Sequence, residues 1–305
     1  MADKKMKDKL LLIDANSLIH RAFHALPPLT GPGGKPTGAL YGLASILIKL
    51  FNEDHPLYAV AAFDRPEPTF RDDMYDEYKA TRPPTPDTLV DQLKEARVLM
   101  EHFGIKTVEI PGYEADDLIA TLAVKFSNSD LQVEIMSGDL DILQVVEGDR
   151  IVAQVPKKGI SETTIYNENQ VKERFGVSPE ALADYKGLVG DTSDNIPGVT
   201  GIGPKSAVDL IIRYTDIENI YAHLAEIKED KPTLAQKLEE GKESALLSKK
   251  LATLITDVPV NETLEALKTG DSLKNKDLWK YLEGLGFKTL INRIKQSQQQ
   301  ASRLF

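Results

Sequence analysis

One stretch of the sequence, residues 112–123, reads GYEADDLIATLA and places three acidic residues at the start of an amphipathic helix. Its apolar side chains recur every three or four positions, which predicts that one face of the helix packs against a core. That face comprises Ala115, Leu118, Ile119, Leu122 and Ala123. Glu114 and Asp116 flank this face, and Asp117 is expected to point away from it. Acidic residues stabilise the first turn of a helix, but three so close together repel one another. The stretch therefore predicts either a helix start alone or a helix start that holds a cation.

Apolar runs of strand length lie before and after this helix, and several end in an acidic residue. They cover residues 9–15, 58–64, 105–110, 131–136 and 151–155. Continuous apolar runs are typical of strands that are buried on both faces. Amphipathic stretches between them predict helices over 18–26, 38–52 and 86–103, and Asn16 or Ser17 is expected to cap the first. This alternation predicts an α/β fold, in which helices cover both faces of a mostly parallel central sheet.

After about residue 172 the strand patterns stop and helical patterns dominate. These cover residues 179–189, 204–214, 216–227, 233–255 and 276–296. The sequence therefore predicts an α/β domain over residues 9–172, which includes a hairpin-like segment over 157–166. It also predicts a helical domain over 173–290 and a polar tail or linker over 291–305.

The composition is that of a soluble globular protein, with 305 residues of which 41% are hydrophobic and 28% charged. The chain has no cysteine, which excludes a disulfide framework and a thiolate metal site. The charged start, MADKKMKDK, is neither a secretory signal nor a membrane span, so a cytoplasmic location is expected. The net charge of −10 argues against a nucleic-acid partner, unless many of the acids gather at a metal site where bound ions reverse the local field.

The positions of the acidic residues favour such a metal site. Asp14, Asp64, Glu114 and Asp139 each lie at or just beyond the end of a predicted strand. In open α/β sheets, ligands bind outside the carboxyl ends of the strands. An ordinary helix cap or turn would explain any one of these acids. The same explanation would have to apply at all four strand ends, which favours a metal site. Asp116, Asp117 and Asp141 add to the group. Because the candidates are all carboxylates, with no His or Cys nearby, Mg²⁺ or Mn²⁺ is favoured over zinc.

Two further motifs lie close together in the helical part of the chain. Asp191 and Asp194, in GDTSDNIP, are spaced so that they can converge on one ion, although an Asx turn in a polar loop is the favoured explanation when this pair is taken alone. The following stretch, GVTGIGPKSA over 198–207, has glycines before a proline at a helix start, which exposes backbone N–H groups to a phosphate. Lys205 adds positive charge. The spacing is not that of a P-loop, and a plain tight connection between helices is the alternative.

Together these motifs resemble a known family, the 5′ nucleases, and most closely the 5′→3′ exonuclease domain of the bacterial DNA polymerase I type. The similarity spans about residues 9–290. It is carried by five segments in the same order, at residues 11–26, 61–86, 112–123, 137–144 and 190–207. The resemblance implies the fold of that family, with a helical arch and a C-terminal helix-hairpin-helix element.

The resemblance also implies a set of metal ligands and two Mg²⁺ or Mn²⁺ ions. The implied ligands are Asp14, Asp64, Glu114, Asp116, Asp117, Asp139, Asp141, Asp191 and Asp194. In the family, the residues around Asp64, Glu114, Asp116 and Asp139 serve one ion. Those around Asp141, Asp191 and Asp194 serve the other. Asp116 and Asp139 are accordingly expected to be essential for cleavage.

By the same resemblance, residues 65–90 correspond to the arch, through or under which the 5′ single strand passes. Tyr78, Lys79 and Arg82 match arch residues that contact the scissile phosphate, and Arg71 matches a nearby basic position. This segment has no hydrophobic stripe of its own, so the sequence predicts that it is mobile without DNA.

The helix-hairpin-helix element of the family holds the backbone of duplex DNA and often a K⁺ ion. The matching residues here are Gly198, Gly201, Gly203 and Lys205. The implied activity is two-metal hydrolysis of DNA phosphodiesters from the 5′ end, by a 5′→3′ exonuclease and 5′-flap endonuclease of replication and repair. The implied partners are 5′ flaps, nicked or gapped duplex, RNA–DNA primers, and a polymerase that is covalently linked or separate. The chain is expected to act as a monomer, away from membranes.

Two other functions compete with this interpretation. One is a branched-DNA-binding module of the same fold that does not cut. Some relatives lack the second acidic group, but this chain keeps Asp141, Asp191 and Asp194. The other is a Mg²⁺-dependent phosphatase of small phosphoesters, in which the arch and the hairpin element would have no use.

Overall fold

Strand β1 (Asp8–Asp14) lies inside a six-stranded sheet. The computed structural model describes residues 8–127, 130–158 and 162–301. The other strands are β2 (Tyr58–Ala62), β3 (Lys106–Val108), β4 (Leu131–Met136), β5 (Ile151–Lys158) and β6 (Glu162–Tyr166). The strand order is β3-β2-β1-β4-β5-β6, and every pair is parallel except β5–β6. The predicted, mostly parallel sheet is confirmed, and the predicted hairpin is the antiparallel β5–β6 pair, whose residues 159–161 lie outside the described residues.

Helices alternate with the first strands and then follow one another. The first group is α1 (Ala15–Ala25), α2 (Gly38–Glu53), α3 (Phe70–Met74), α4 (Asp87–His102) and α5 (Ala115–Phe126). The second group is α6 (Glu168–Phe175), α7 (Leu182–Val189), α8 (Pro204–Tyr214), α9 (Ile217–Ala222), α10 (Leu224–Asp230), α11 (Pro232–Glu240), α12 (Lys242–Ala252), α13 (Lys276–Gly284) and α14 (Lys288–Ala301). None of the helices in the described ranges is long and apolar enough to cross a membrane.

Both faces of the sheet are covered, which explains the continuous apolar run in β1. Successive side chains of a strand point to opposite faces. Leu10 and Leu12 therefore join a core with α5 and with helices α6 to α12. Leu11 and Ile13 join the opposite core with α1, α2 and α4. All four side chains are at most 1% exposed, so a polar residue at any of them would face a core.

The last two helices do not pack with the rest of the helical region. Leu278 and Leu282 of α13 and Leu290 and Ile294 of α14 lie in the core with α2 and α4, across the sheet from α7 to α12. Helix α14 also continues to Ala301, where the sequence predicts a polar tail or linker from residue 291. Ile291 and Ile294 are buried and lie about one helical turn apart, so they hold the first part of this stretch against the core.

Candidate active site

The acidic residues at the strand ends meet at one edge of the sheet. Asp14 ends β1, Asp64 follows β2 and Asp139 follows β4. These three strands are parallel neighbours, so their carboxyl ends lie side by side. Helix α5 and the turn after β4 bring two more acids to the same edge. We call the resulting group the edge carboxylates: Asp14, Asp64, Asp116, Asp139 and Asp141.

Asp14 is held in place by the start of α1. The sequence predicts a cap at Asn16 or Ser17 and a helix from residue 18. The structure instead caps α1 with Asp14, whose Oδ1 accepts from the N–H of Ser17 at 2.9 Å, so the helix begins at Ala15. An aspartate that ends a strand is itself a strong N-cap residue. The other oxygen, Oδ2, accepts from the Ser137 hydroxyl at 2.6 Å.

Neighbouring backbone N–H groups orient two other edge carboxylates. Asp64 Oδ1 accepts from the N–H of Ala115, at the first residue of α5, at 2.7 Å. Asp139 Oδ1 accepts from the N–H of Asp141 at 3.0 Å. These contacts fix the two carboxylates against the start of α5 and the turn after β4. Because the donors are backbone groups, the carboxylates are held by the fold itself.

Asp116 is the edge carboxylate whose charge is hardest to accommodate. Its Oδ1 atom is buried and has no hydrogen-bond partner within the described chain. Burial raises the pKa of Asp116 well above its usual value, and the charges of Asp14, Asp139, Asp64 and Asp141 raise it further. Burial likewise raises the pKa of Asp14 and of Asp141 to about 7. A cation among these oxygens would remove both the repulsion and the unmet hydrogen-bonding capacity.

Beside this group, Glu114 and Asp194 are paired with basic side chains. Lys79 Nζ donates to Glu114 Oε1 at 2.6 Å, and Arg82 Nη2 donates to Asp194 Oδ1 at 2.5 Å. The Tyr78 hydroxyl lies 3.1 Å from Glu114 Oε2 and 3.3 Å from Asp194 Oδ2. Burial and these two carboxylates raise the pKa of Tyr78, so the phenol stays protonated and can donate.

The segment that carries Tyr78, Lys79 and Arg82 is anchored to the rest of the protein. The sequence predicts instead that this segment has no hydrophobic anchor and is mobile without DNA. Tyr78 is 6% exposed and packs with Ile196 and Leu251. The N–H of Lys79 donates to the carbonyl of Asp194 at 2.9 Å. The sequence did not indicate this anchor because its partners lie more than a hundred residues further along the chain.

Residues 77–79 and 194–195 are also joined by a side-chain hydrogen bond, and each segment contains a residue in an uncommon backbone conformation. Lys79 has φ +53° and Asn195 has φ +57°, a left-handed conformation that is uncommon for residues other than glycine. The Asn195 side chain donates to the carbonyl of Glu77 at 2.7 Å. Such strain persists only where the surroundings fix it, and it concentrates at functional sites.

Lys186, on α7, is a site residue that the sequence analysis missed. Its Nζ donates to Asp141 Oδ1 and, at 2.5 Å, to Asp191 Oδ2. Burial opposes the charge of Lys186, but the two carboxylates outweigh it and raise the pKa of the ammonium. Burial also opposes ionisation of Asp191, yet Lys186 lowers the pKa of that carboxyl to about 2. A lysine five residues before Asp191 was the only signal in the sequence.

The donor set suits a hard divalent cation, but it is not assembled around one point. Carboxylate oxygens are the preferred ligands of Mg²⁺ and Mn²⁺. In residues 8–127, 130–158 and 162–301, however, no three acidic or histidine side chains form a group that could hold a metal ion as they stand. The pairings give the physical reason, because oxygens of Glu114, Asp141, Asp191 and Asp194 are directed at lysine or arginine. The unpartnered Oδ1 of Asp116 would accept an ion without the displacement of a basic side chain.

Asp117 and Arg71, which the sequence predicts as a metal ligand and a substrate contact, pair with each other away from the edge carboxylates. Asp117 is fully buried, although the sequence predicts that it points away from the core. Its oxygens accept from Arg71 Nη1 at 2.7 Å and Nη2 at 2.8 Å. Arg71 is 1% exposed and also donates to the carbonyls of Leu251 and Thr253 at 2.8 Å each. The pair therefore joins α3, α5 and the end of α12.

The glycine-rich element forms the turn before α8, and its glycines differ in what surrounds them. Gly198 has φ +63°, and a Cβ there would lie 2.3 Å from the backbone N of Gly190. Gly201 has φ +81° and lies beneath the Lys237 side chain, whose Nζ donates to its carbonyl at 2.9 Å. Gly198 and Gly201 therefore serve the fold of the turn itself.

Gly203 and Lys205 are the members of the element that face open space. Gly203 caps α8, and a Cβ there would meet no described atom within 4 Å. Lys205 is exposed in the first turn. The N–H groups at the start of a helix attract anions.

Comparison with known protein families agrees with this geometry. Residues 9–176 match the family model described as 5'-3' exonuclease, N-terminal resolvase-like domain, and residues 177–275 match 5'-3' exonuclease, C-terminal SAM fold. The first match alone covers more than half of the chain. The chain belongs to the 5'-3' exonuclease family. The resemblance drawn from the sequence is thereby confirmed.

Individual members of the 5'-3' exonuclease family differ in length. DNA polymerase I of Caldicellulosiruptor bescii is 42% identical over 95% of this chain, which corresponds to 34% of that polymerase. A 5'-3' exonuclease of Aquifex aeolicus is 37% identical over 96% of this chain and 98% of its own length. The chain thus spans about a third of the polymerase relatives and nearly all of the exonuclease.

A solved structure of the bacteriophage T5 flap endonuclease, in complex with DNA and metal ions, superposes with a TM-score of 0.65. The match covers 95% of this chain and 99% of that one at 19% identity. At this identity the comparison shows a shared fold, and it confirms the predicted fold class of a 5′ nuclease.

Replacing Arg71 by Met should strongly destabilise the protein. The substitution leaves the carboxylate of Asp117 buried without a cation and two backbone carbonyls without donors. Breaking a buried pair in this way costs about 3–5 kcal/mol. The free energy of unfolding in urea measures the effect.

Arg65 is the matched control for this change. It is on the same segment but half-exposed, and it pairs with Glu67 and Glu109. Arg65→Met should lower the free energy of unfolding by less than about 1 kcal/mol. Equal losses in the two variants would contradict a structural role for the Arg71–Asp117 pair.

Proposed function

We propose that the chain is a structure-selective 5′ nuclease, which hydrolyses DNA phosphodiesters from the 5′ end as an exonuclease and a 5′-flap endonuclease. The observation that carries the proposal is the group of edge carboxylates, in which a buried Asp116 oxygen has no partner. Family membership and the fold shared with a DNA-bound flap endonuclease support it.

The edge carboxylates and the acids paired with cations would hold two divalent ions, Mg²⁺ or Mn²⁺. Such ions supply an activated water and stabilise charge on the attacking and leaving oxygens of a phosphodiester. Asp14, Asp64, Asp116 and Asp139 would provide the oxygens nearest the strand ends. Glu114, Asp141, Asp191 and Asp194, which are paired with basic side chains here, would provide the others.

Lys79 and Arg82 would meet the scissile phosphate. Both lie within hydrogen-bond distance of acids in the site, so a phosphate held there comes within reach of the same cations. Lys79 offers a point charge and Arg82 a planar fork of donors, and each would stabilise charge that develops on the phosphate. Tyr78 positions both, since its hydroxyl bridges Glu114 and Asp194.

The start of α8 would hold the backbone of duplex DNA, with the open face of Gly203 and the charge of Lys205 directed at a phosphate. Such contacts are independent of sequence. We propose 5′ flaps, nicked or gapped duplex and RNA–DNA primers as substrates, in replication and repair. The chain would act either as the nuclease part of a polymerase or, as the length of the Aquifex relative suggests, on its own.

Removing divalent ions should abolish cleavage, and Asp116→Asn should do the same in their presence. Without added metal, Asp116→Asn should not lower the free energy of unfolding, because it relieves the repulsion among buried carboxylates. Release of product from a 5′-labelled flap, with EDTA and then with excess Mg²⁺ or Mn²⁺, measures the first effect.

Asp91→Asn is the control, since Asp91 is an exposed acid of α4 far from the site. It should cleave like the wild type. Undiminished cleavage in EDTA would contradict the metal mechanism. Tight binding of branched DNA with no cleavage in Mg²⁺ or Mn²⁺ would instead support a binding module of the same fold.

Lys79→Ala and Arg82→Ala should each slow single-turnover cleavage of a 5′ flap by about 10²-fold, the size of the loss when one transition-state donor is removed. Saturating enzyme separates this effect from weakened binding. Arg65→Ala, on the same segment but directed at Glu67 and Glu109, should cleave at the wild-type rate. Wild-type rates in both test variants would leave these cations no part in the chemistry.

Gly203→Val should weaken duplex binding, because the added side chain would stand where a phosphate has to approach the backbone. Stability should not fall, because a Cβ at this position meets no described atom within 4 Å. Lys205→Ala should weaken binding and lower the slope of log affinity against log salt by about 1. Binding of several unrelated duplexes at different salt concentrations measures both effects. A loss confined to one sequence would contradict a backbone contact.

A further inference from the structure

Lys186 holds together two acids that the proposed function assigns to one metal group. Asp141 lies in the turn after β4, and Asp191 follows α7. The ammonium of Lys186 donates to both. The side chain of Lys186 is 17% exposed, and those of Asp141 and Asp191 are 12% and 17% exposed. This partly buried setting strengthens the attraction relative to a surface pair.

An ammonium in this position attracts the acids as a bound metal ion would, with half the charge of a divalent ion. It offsets one of the two negative charges of Asp141 and Asp191 and occupies one oxygen of each. A divalent ion that uses those oxygens must therefore displace it. The ammonium and the divalent ion compete for the same oxygens. The ion therefore binds more weakly, because the free energy of the lysine contact is lost when the ion displaces it.

Lys186 differs from Lys79 and Arg82 in how it reaches the site. Those two lie on the segment that would meet the phosphate, whereas Lys186 is on α7, which is packed against α12 and anchored by the buried Leu182 and Leu188. It can leave the acids only by rotating its own side chain. A cavity of about 450 Å³ lined by Lys186, Tyr185, Phe175, Asp141 and Asp191 gives it room to do so and gives an ion a way in.

We propose that Lys186 is a tethered counter-ion that a divalent cation displaces from Asp141 and Asp191. It keeps the acids together and offsets part of their charge when no ion is bound, and it sets the ion concentration at which this part of the site fills. The inference rests on the proposed function, because it takes Asp141 and Asp191 as metal ligands. It predicts that removal of the lysine tightens ion binding, the opposite of what the loss of a positioning residue would do.

The test is a titration of the full, DNA-free chain with MnCl₂ after EDTA treatment and dialysis. Calorimetry and the electron paramagnetic resonance signal of free Mn²⁺ report affinity and stoichiometry without any cleavage. Lys186→Met should tighten the weaker class of Mn²⁺ sites by roughly tenfold or more and leave the stronger class within twofold. Lys186→Gln, which keeps a hydrogen-bond donor but no charge, should shift the affinity in the same direction.

Thermal unfolding gives a second readout, which also shows whether the variants fold. In EDTA, Lys186→Met should melt below the wild type, because two carboxylates lose their cation. Added Mn²⁺ should raise the melting temperature more in the variant than in the wild type, because stabilisation by a ligand grows with its affinity.

Lys249→Met is the matched control. Lys249 also bridges two carboxylates, at 2.7 Å to Asp184 and 2.6 Å to Glu218, and its side chain is 23% exposed. It lies outside the acids assigned to metal, so its loss should leave Mn²⁺ binding unchanged. An equal gain in affinity in Lys249→Met would show that the Lys186 effect comes only from the change in net charge, and it would overturn the proposal.

Unchanged or weaker Mn²⁺ binding in both Lys186 variants would also overturn it, and would make Lys186 a residue that merely positions the acids. Failure of the proposed function has a different signature. In that case the wild type would leave a 5′ flap uncut in Mg²⁺ or Mn²⁺, or would cut it equally well in EDTA.

Discussion

Repulsion among carboxylates at one edge of a parallel sheet is the constraint on which the rest of this site depends. Parallel strands bring their carboxyl ends together, and here three neighbouring strands end in or near an aspartate. Partial burial strengthens the repulsion because water screens it less. Burial itself raises the pKa of Asp14, Asp116 and Asp141, and the neighbouring carboxylates raise it further. Such an arrangement lowers stability, and enzymes accept this cost at sites where a cation has to bind.

Basic side chains from other parts of the chain offset some of this negative charge. Lys79, Arg82 and Lys186 each pair with acids that border the edge carboxylates. The net charge of −10 therefore says little about the field that an approaching strand meets. The proposed function has Lys79 and Arg82 meet a phosphate once ions occupy their acids. A partner that the overall charge seemed to exclude is thus compatible with the local arrangement.

A buried pair supplies the stiffness that the crowded site itself cannot provide. Arg71 and Asp117 join α3, α5 and the end of α12, and the N–H of Ile255 donates to Asp117 Oδ1 at 2.9 Å. Gln144 adds a second link, because its side chain donates to the carbonyl of Ala252 at 2.8 Å. The helical region is thereby fixed against α5, and with it the distance between the acids and the start of α8.

Local pattern in the sequence determined the sheet, the helices around it and the edge at which the acids collect. Long apolar runs are recognisable because most positions of a strand covered on both faces favour apolar side chains, as the buried Leu10 and Leu11 of β1 illustrate. An acid that follows such a run must then lie at the carboxyl edge. These inferences need only neighbouring residues, and they located Asp14, Asp64, Asp116 and Asp139 correctly at that edge.

Only the tertiary structure decided which similar residues share a role. Asp116 and Asp117 are adjacent, yet one is an edge carboxylate without a partner for Oδ1 and the other is neutralised by Arg71. Gly198 and Gly203 belong to one motif, yet a side chain would collide with backbone at the first and meet open space at the second. The outcome for Asp117 depends on an arginine 46 residues away in the sequence, and that for Gly198 depends on the backbone of Gly190 packed against it. Burial and pairing are properties of the assembled surroundings, so no local pattern could have distinguished these residues.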